Sequence, residues 1–441
     1  KERMKVRKSD LMLIFFWILC LESITSIIKN NILSNIVQFI LLFIIAYICI
    51  SQRKKINLNI CGIWKTYCML IALMILPDII NLNIRSGFRY IMPFVFRLVT
   101  MLFIFSYFYK ERITEKGIVL IPVLAGVFFS IGGIIIKIGR KSWLPGFSTL
   151  DARLHITKMG YLFHIPLGEF IDVWEGNQVE RMCSFFTEPT NYALFLEIPL
   201  FFSYALLWEH KKIRNLICAC IVSIGFIMTE SRAGFVSVLA AIVVAILFRP
   251  KKGESSDENL SGIKKDICKM LIALLAIFIL GIGLLKVMYA LSDFFPQATF
   301  LQAGIFDENG NVSLIRPETT NFGLMFQKLL EQPWGYGISL IITRNQNIIN
   351  INYANAINAW AIGGGILGIL IVLCMLAHIA LKYAIPCLKN RNKIVKTLGM
   401  IFFSMTIHQI SDGDWMRLDY IMIITIMVMY QKQVLQLDYD K

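Results

Sequence analysis

Hydrophobic runs of about 15 to 25 residues recur along the whole of this 441-residue chain, and they constrain its fold more than any other feature. As an α-helix, a run of about 20 residues covers the roughly 30 Å hydrocarbon layer of a bilayer. Helices are favoured because each one satisfies its own backbone hydrogen bonds. Hydrophobic residues make up 57% of the chain, above the roughly 45 to 50% of a soluble globular protein. The sequence therefore predicts an all-α polytopic membrane protein.

The number of runs predicts about twelve transmembrane helices. We place them at residues 11–28, 32–50, 61–79, 90–109, 117–138, 192–208, 216–229, 233–248, 267–291, 356–380, 397–410 and 416–430. No small-residue cleavage site follows the first run, so we expect a span there and not a cleaved signal peptide. Because most connections are short, we expect residues 1–441 to form a single transmembrane helical domain.

The net charge of +15 is distributed in a way that predicts orientation. Basic residues cluster in alternate connections, as expected when positive loops stay in the cytoplasm. The clusters lie at residues 1–8, 53–55, 110–116, 211–214, 249–265 and 382–396. With twelve spans, all of them and both termini fall on the cytoplasmic side of the membrane. This placement assigns the positive charge to the membrane surface and excludes nucleic acid as the partner.

Two connections, residues 139–189 and 292–354, are much longer than the others, and both are predicted to lie on the outer side. Long connections of this kind are usually functional or disordered. Their aromatic residues indicate order, and we expect short helices lying on the bundle. Residues 319–331 in particular place apolar side chains at helical spacing along one stripe, which predicts a helix packed on the bundle or at the lipid interface.

Familiar catalytic and metal-binding signatures are missing from the sequence. It has no Gly-x-x-x-x-Gly-Lys-Ser/Thr, no His-Glu-x-x-His, no Gly-x-Ser-x-Gly and no Cys/His set with zinc spacing. Nucleotide hydrolysis and metalloprotease chemistry are thus unsupported, and we expect neither a metal nor a cofactor. The candidate functional residues are instead charges at the outer ends of the predicted spans, where an ion near lipid is costly.

Glu230, Ser231 and Arg232 lie between two hydrophobic runs at a predicted outer boundary. One interpretation is an interfacial turn with a local ion pair. The other is that Arg232 faces an outward cavity and binds an anionic headgroup, because its planar fork forms two parallel hydrogen bonds to a phosphate.

A second polar segment, residues 181–191, precedes the span at 192–208. Pro189 is suited to the first turn of a helix. The segment is either a structural entry to the span or a site that uses Arg181 and Glu188.

Further polar and flexible positions lie in the second outer loop and near the end of the chain. Gly335 and Gly337 allow a tight turn or the close approach of a substrate. His408 is a possible substrate contact, although a hydrogen-bonded histidine inside the bundle is the simpler interpretation. We expect the charged residues within spans to pair inside the bundle, and these are Glu22, Lys65, Asp78, Arg97 and Glu197.

Three local patterns resemble the superfamily of O-antigen polymerases and O-antigen ligases. Arg181 followed by Phe186, Glu188 and Pro189 is similar to a motif that precedes a span in surface-polysaccharide polymerases. Residues 229–234 (TESRAG) resemble the family's Thr-x-Ser-Arg-x-Gly. Arg316 followed by Pro333, Gly335 and Gly337 resembles its outer-loop arginine with a downstream glycine turn. The resemblance covers residues 181–370 best.

The resemblance implies a metal-independent glycosyltransferase that acts on an undecaprenyl-diphosphate-linked oligosaccharide at the outer face of the membrane. Arg181, Arg232 and Arg316 would hold the diphosphate, and Glu188 or Glu230 would serve as the base that activates the acceptor hydroxyl. Membrane lipid is a further partner, and the family implies a protein that regulates chain length.

One departure from the family pattern helps to distinguish the polymerase branch from the ligase branch. Ligases carry a His-Asn pair just before their Gly-x-x-Gly span, whereas Ala354 and Asn355 precede Gly365 to Gly368 here. The missing histidine favours an O-antigen polymerase over an O-antigen ligase. A polysaccharide flippase is a third alternative, which the two long outer loops count against.

Overall fold

The computed structural model describes most of the chain. The described residues are 8–20, 31–51, 61–82, 84–109, 111–142, 168–174, 177–184, 186, 189–249, 266–273, 275–276, 279–280, 283, 322–337, 356–411, 417–431 and 436–438.

Helices dominate these residues, as the apolar runs predict. The helices of the first half are α1 (Lys8–Cys20), α2 (Asn31–Ser51), α3 (Cys61–Ile80), α4 (Ile84–Phe108) and α5 (Glu115–Ser142). Those of the middle are α6 (Pro189–His210), α7 (Ile213–Met228), α8 (Arg232–Leu247) and α9 (Phe322–Glu331). The last are α10 (Ala356–Ile379), a π-helical turn (Ala380–Ala384), α11 (Ile385–Leu388), α12 (Lys393–Ser411) and α13 (Leu418–Gln431).

The predicted spans coincide with these helices to within a few residues at most boundaries. For the predicted span at 267–291, residues 266–273 are helical and most of the remainder lies outside the described residues. The helix predicted over 319–331 is α9, although its first three positions lie outside the described residues. Pro189 is the first residue of α6, as expected for a proline in the first turn.

Length and composition identify a helical membrane protein. Within the described part of the chain, four helical stretches are long and apolar enough to cross a bilayer. They are Ile63–Ile80, Glu115–Ile135, Pro189–His210 and Ile362–Leu388. Several shorter apolar helices, including α7, α8 and α13, accompany them.

Helix α6 is the centre of the bundle. It is 72% buried within the protein, against 39% to 44% for the other three long apolar stretches. Helices α5, α7, α8 and α12 pack around it. Glu197 and Ser203 in the middle of α6 are accordingly buried within the protein.

Two small two-stranded sheets accompany the helices. Strands β2 (Gly168–Trp174) and β3 (Asn177–Ser184) form an antiparallel hairpin, while β1 (Arg112–Thr114) pairs in parallel with β4 (Gln436–Asp438). The expectation of short helices is wrong for residues 168–184 of the first long loop. Alternating apolar residues in these two segments form the paired strands.

Helix α10 is broken near its start. Gly365 has φ 66° and ψ −159°, a conformation that is incompatible with a helix and accessible essentially only to glycine. The predicted span at 356–380 is therefore two helical pieces, and the backbone groups exposed at the break need partners from elsewhere.

Candidate functional site

Strand β3, which precedes α6 in the chain, packs closely against α5. Met182 and Ser184 of β3 lie against Gly133 of α5, where a Cβ atom would be 2.8 Å from the Met182 sulfur. The Ser184 hydroxyl donates to the Phe129 carbonyl at 2.8 Å, and Ser184 itself has a left-handed φ of 51°. Because this residue is strained and anchored, the position of β3 relative to α5 is fixed.

Phe186 continues this packing into the bundle. Its ring stacks on Tyr192 with 5.2 Å between centroids and lies 5.1 Å from the ring of Phe195. The backbone of Arg181 pairs with Phe170 in the hairpin. The Arg181 side chain and the whole of Glu188 lie outside the described residues, so their predicted roles stay predictions.

Most residues of the pattern at 229–234 (TESRAG) have a structural role in the turn between α7 and α8. The Thr229 hydroxyl donates to the Phe226 carbonyl at 2.7 Å, and the Ser231 hydroxyl accepts from the Gly234 N–H at 3.2 Å as the N-cap of α8. Glu230 between them has a left-handed φ of 52°. Thr229 and Ser231 are buried, whereas Glu230 and Arg232 are half-buried.

Gly234 brings this turn against the start of α6. A Cβ atom at this position would lie 3.2 Å from the Cβ of Ala193 and 3.1 Å from the ring of Phe226. Ala193 is in the first turns of α6, only a few residues after Glu188. Two of the three segments singled out in the sequence are thus neighbours at one end of α6, and Arg316 of the third lies outside the described residues.

The glycines of the second long loop contact backbone. Gly335 and Gly337 both have left-handed φ values, 92° and 88°. The N–H groups of Tyr336 and Gly337 donate to the carbonyls of Ile362 and Gly363 at 2.7 and 3.0 Å, and Ile366 donates to the Pro333 carbonyl at 2.9 Å. The loop therefore supplies the partners that the break in α10 requires. We call residues 333–337 with 362–366 the glycine junction.

Asp78 at the end of α3 completes the glycine junction. Its side chain is buried, and a Cβ atom on Gly337 would be 2.2 Å from its Oδ1. Asn81 also donates to the Tyr336 carbonyl at 3.4 Å. Gly335 and Gly337 therefore bring the loop close to α10 and to Asp78, whereas the close approach of a substrate to them stays a prediction.

The exposed side of α9 carries an ion pair. The Lys328 ammonium is 2.5 Å from the Glu331 carboxylate, and this hydrogen bond raises the pKa of Lys328 and lowers the pKa of Glu331. Burial raises the pKa of the nearby Tyr336 hydroxyl. All three groups keep their usual ionisation states near neutral pH.

A buried polar cluster lies between α6, α8 and α12. The Glu197 carboxylate forms a hydrogen bond with the Nδ1 of His408 and accepts another from the Ser237 hydroxyl at 2.7 Å. Ser404 is 3.4 Å from the Ser237 hydroxyl. All four residues are completely buried. The interpretation of His408 as a hydrogen-bonded histidine of the bundle is confirmed, and its contact with substrate stays a prediction.

The other charged residues within the predicted spans differ in whether they are buried in the bundle. Asp78 is buried as expected, and Arg97 is half-buried with its guanidinium 5.7 Å from the ring centre of Phe94. Lys65 is exposed on α3, so the expectation that it lies inside the bundle is wrong. Glu22 lies outside the described residues.

A buried ion pair, Arg417 with Asp419, was not predicted from the sequence. The Arg417 guanidinium contacts the Asp419 carboxylate through two hydrogen bonds of 2.8 and 3.2 Å at the start of α13. Both side chains are at least 95% buried. The alternation of Arg417 and Asp419 beside a predicted outer boundary is the only sequence signal for it.

Among the described residues, no group of three or more His, Cys, Asp or Glu side chains is arranged to hold a metal ion. No family model matches the chain, and neither the curated proteins nor the solved structures include a significantly similar one.

Proposed function

We propose that this chain is a polymerase of a surface polysaccharide such as O-antigen. It would transfer a growing glycan from undecaprenyl diphosphate to a new lipid-linked repeat unit. The proposal places twelve spans in a bacterial inner membrane, with both termini inside and the two long loops outside. The end of the bundle that holds residues 229–234 then faces the periplasm or the exterior.

The observation that carries this proposal is the contact between Gly234 and Ala193. It brings the turn that contains Arg232 against the start of the helix that follows Arg181 and Glu188. These are separate stretches of sequence, and both resemble motifs of the same family. Their proximity supports a shared site, because a diphosphate needs several cationic donors at one place.

The reaction in this site is a displacement at the anomeric carbon of the donor glycan. The acceptor hydroxyl oxygen forms the new glycosidic bond, the bond from the anomeric carbon to the diphosphate oxygen breaks, and undecaprenyl diphosphate leaves with the bonding electrons. Arg181, Arg232 and Arg316 would stabilise the charge that develops on the diphosphate. Glu188 or Glu230 would accept the proton of the acceptor hydroxyl.

The strained backbone conformation of Glu230 favours Glu230 over Glu188 as the base. A left-handed conformation in a residue other than glycine costs about 1 to 3 kcal/mol and is often found at functional sites. Leu82 and Lys211 share this conformation directly after helices, so helix termination accounts for part of the pattern. Unlike Leu82 and Lys211, Glu230 carries a carboxylate that could accept a proton.

The surface-polysaccharide profile of a deletion strain tests the proposal. A polymerase defect leaves single repeat units on the acceptor. A ligase defect leaves no glycan there while lipid-linked polymer accumulates, and a flippase defect retains the lipid-linked units inside the cell. We expect single repeat units, and either of the other two profiles would contradict the proposal.

A further inference from the structure

Helix α9 and the turn that follows it present large apolar side chains away from the bundle. Phe326 and Leu330 are 61% and 78% exposed, and Trp334 in the turn is 51% exposed. Phe326 and Leu330 are four residues apart, so they share one face of the helix. Exposed apolar side chains that are grouped in this way mark an interaction surface.

Three sides of α9 differ in burial and polarity. Leu329 is buried, on the side of α9 that packs on α10, and it lies about 100° around the helix from Leu330. Gln327 and Glu331 are exposed, and each lies about 100° from the apolar face in the other direction. The apolar face of Phe326 and Leu330 is therefore flanked by protein on one side and by polar residues on the other. A helix that lies on a membrane beside a bundle has this order of faces, with lipid beneath it and water above.

Helix α3 indicates where the surface of the membrane lies. Its apolar stretch Ile63–Ile80 has 18 residues, which as a helix rise about 27 Å and nearly cover the hydrocarbon layer. The exposed residues of this stretch recur every three or four positions and so form one stripe that faces lipid. They are Lys65, Met69, Ala72, Leu76, Ile79 and Ile80. The stripe reaches the end of the span, and Leu82 just beyond it is exposed as well.

The glycine junction brings the two apolar surfaces together. The side chain of Asn81 donates to the Tyr336 carbonyl at 3.4 Å. Asn81 stands between the exposed residues Ile80 and Leu82, and Tyr336 is two residues beyond Trp334. The apolar side chains after α9 therefore continue the lipid-facing stripe of α3 at the membrane boundary. Tryptophan is enriched at this depth because its ring is apolar and its N–H is polar.

We propose that α9 is an interfacial helix and that the partner of its exposed apolar face is the lipid bilayer, at the boundary between headgroups and acyl chains. Phe326 and Leu330 enter the acyl region, Trp334 lies at the level of the headgroups, and the polar side of the helix faces water. Because α9 leads directly into the glycine junction, its contact with lipid holds that junction at the membrane surface. This contact involves no glycan and is independent of the proposed function.

Photocrosslinking of the full chain in proteoliposomes identifies the partner of this face. Benzoylphenylalanine, which reacts with nearby C–H bonds on illumination, replaces Phe326 or Leu330 in the test variants and Gln327 or Glu331 in the matched controls. We expect lipid adducts, measured by mass spectrometry, to be severalfold more frequent at the first two positions. Equal or absent lipid adducts at all four positions would overturn the proposal. Cross-links from Phe326 or Leu330 to a second copy of the chain, in place of lipid, would also overturn it.

Fluorescence quenching measures the depth of Trp334. The chain has eight tryptophans, so the signal of Trp334 is the difference between the unmodified chain and Trp334→Phe. We expect lipids brominated near the headgroup to quench this signal more than lipids brominated near the chain end, and iodide in the water to quench it little. The control is Trp360→Phe, because Trp360 is buried in the bundle and its signal should be quenched less by the same lipids. Quenching of Trp334 by iodide and not by brominated lipid would contradict the proposal.

Hydrogen exchange in proteoliposomes tests whether the lipid contact holds the glycine junction in place. The N–H groups of Tyr336 and Gly337 donate to carbonyls of α10, so their exchange reports on the junction. We expect severalfold faster exchange of these amides in Leu330→Ser and unchanged exchange in Leu330→Phe, which keeps an apolar side chain. Gln327→Ser is the matched control, because it places the same residue on the polar side of α9. Exchange that is unchanged in Leu330→Ser, or equally fast in Gln327→Ser, would refute this role of the lipid contact.

Discussion

The glycine junction and the buried cluster of Glu197, Ser237 and His408 connect distant parts of the chain by opposite means. At the glycine junction, the second long loop contacts α10 through backbone hydrogen bonds, and space for a Cβ atom is absent at Gly335, Gly337 and Gly365. In the buried cluster, three helices are joined by side chains. One region depends on the absence of side chains and the other on their chemistry.

This difference predicts how each region responds to substitution. A side chain added at Gly335 or Gly365 collides with backbone, which cannot move without breaking hydrogen bonds. A side chain changed in the buried cluster alters a balance of charge and hydrogen bonding, which a second substitution can restore. Substitutions at Gly365, Glu197 and Gly337 test this contrast, and a fourth at Glu230 tests the candidate base; their expected effects on stability decrease in that order.

Gly365→Ala should have the largest effect. The new Cβ would lie 2.1 Å from the Pro333 carbonyl oxygen, in a conformation that other residues do not adopt. We expect a loss of more than about 4 kcal/mol in unfolding free energy, seen as failure to accumulate in the membrane. The control is Gly364→Ala, whose Cβ would meet only Met74 at 3.8 Å. Equal levels of the two variants would contradict the assigned break in α10.

Glu197→Leu should be nearly as severe alone and milder in combination. Removing one partner leaves His408 buried without its carboxylate and destabilises the protein by about 3 kcal/mol. In Glu197→Leu/His408→Leu, both polar groups are replaced by apolar ones, so much of the stability should return. Thermal unfolding in nanodiscs measures both variants. Strictly additive losses would show that the two residues act separately.

Gly337→Ala should have an intermediate effect that depends on Asp78. The new Cβ would lie 2.2 Å from the Asp78 carboxylate, and the left-handed φ adds strain, for a loss of about 2 kcal/mol. In an Asp78→Ala background the collision with the carboxylate disappears, whereas the 3.0 Å approach to the backbone nitrogen of residue 78 and the strain stay, so the loss should be smaller. A double-mutant cycle on thermal unfolding measures the coupling free energy between positions 337 and 78. Absence of coupling would place Asp78 elsewhere than at Gly337.

Glu230→Gly should have the smallest effect on stability and an opposite effect on activity. Glycine relieves the left-handed φ and should stabilise the protein by about 1 kcal/mol. If Glu230 is the base, polymer should nevertheless disappear. The control is Lys211→Gly, which relieves a φ of 43° after α6 without removing a carboxylate from the site. Polymer that persists in Glu230→Gly would leave Glu188 as the candidate base.

Much of the fold follows from local sequence. Apolar runs predict the helices to within a few residues because a membrane helix satisfies its own hydrogen bonds. The hairpin at 168–184 escaped prediction because its short alternating segments give a weak signal. The break at Gly365 was not predicted for a different reason. The glycines at 363–365 tolerate a helix, and only the distant loop that contacts them determines the break.

In the candidate site too, local sequence predicts some features, whereas others depend on contacts between distant parts of the chain. Pro189 and the turn at 229–232 have local signatures, and both lie where the sequence places them. Glu197 and His408 are separately recognisable as charged groups in apolar runs, but their pairing spans 211 positions in the chain. Only packing of α6 against α12 brings them together.

The polysaccharide profile of cells that carry Arg232→Ala tests the central claim of a diphosphate-binding polymerase site most directly. Arg249→Ala is the matched control, because Arg249 follows the opposite end of the same helix. We predict single repeat units for Arg232→Ala, and likewise for Arg316→Ala, at normal protein levels, with full polymer for Arg249→Ala. Full chain-length ladders in Arg232→Ala and Arg316→Ala would contradict the claim.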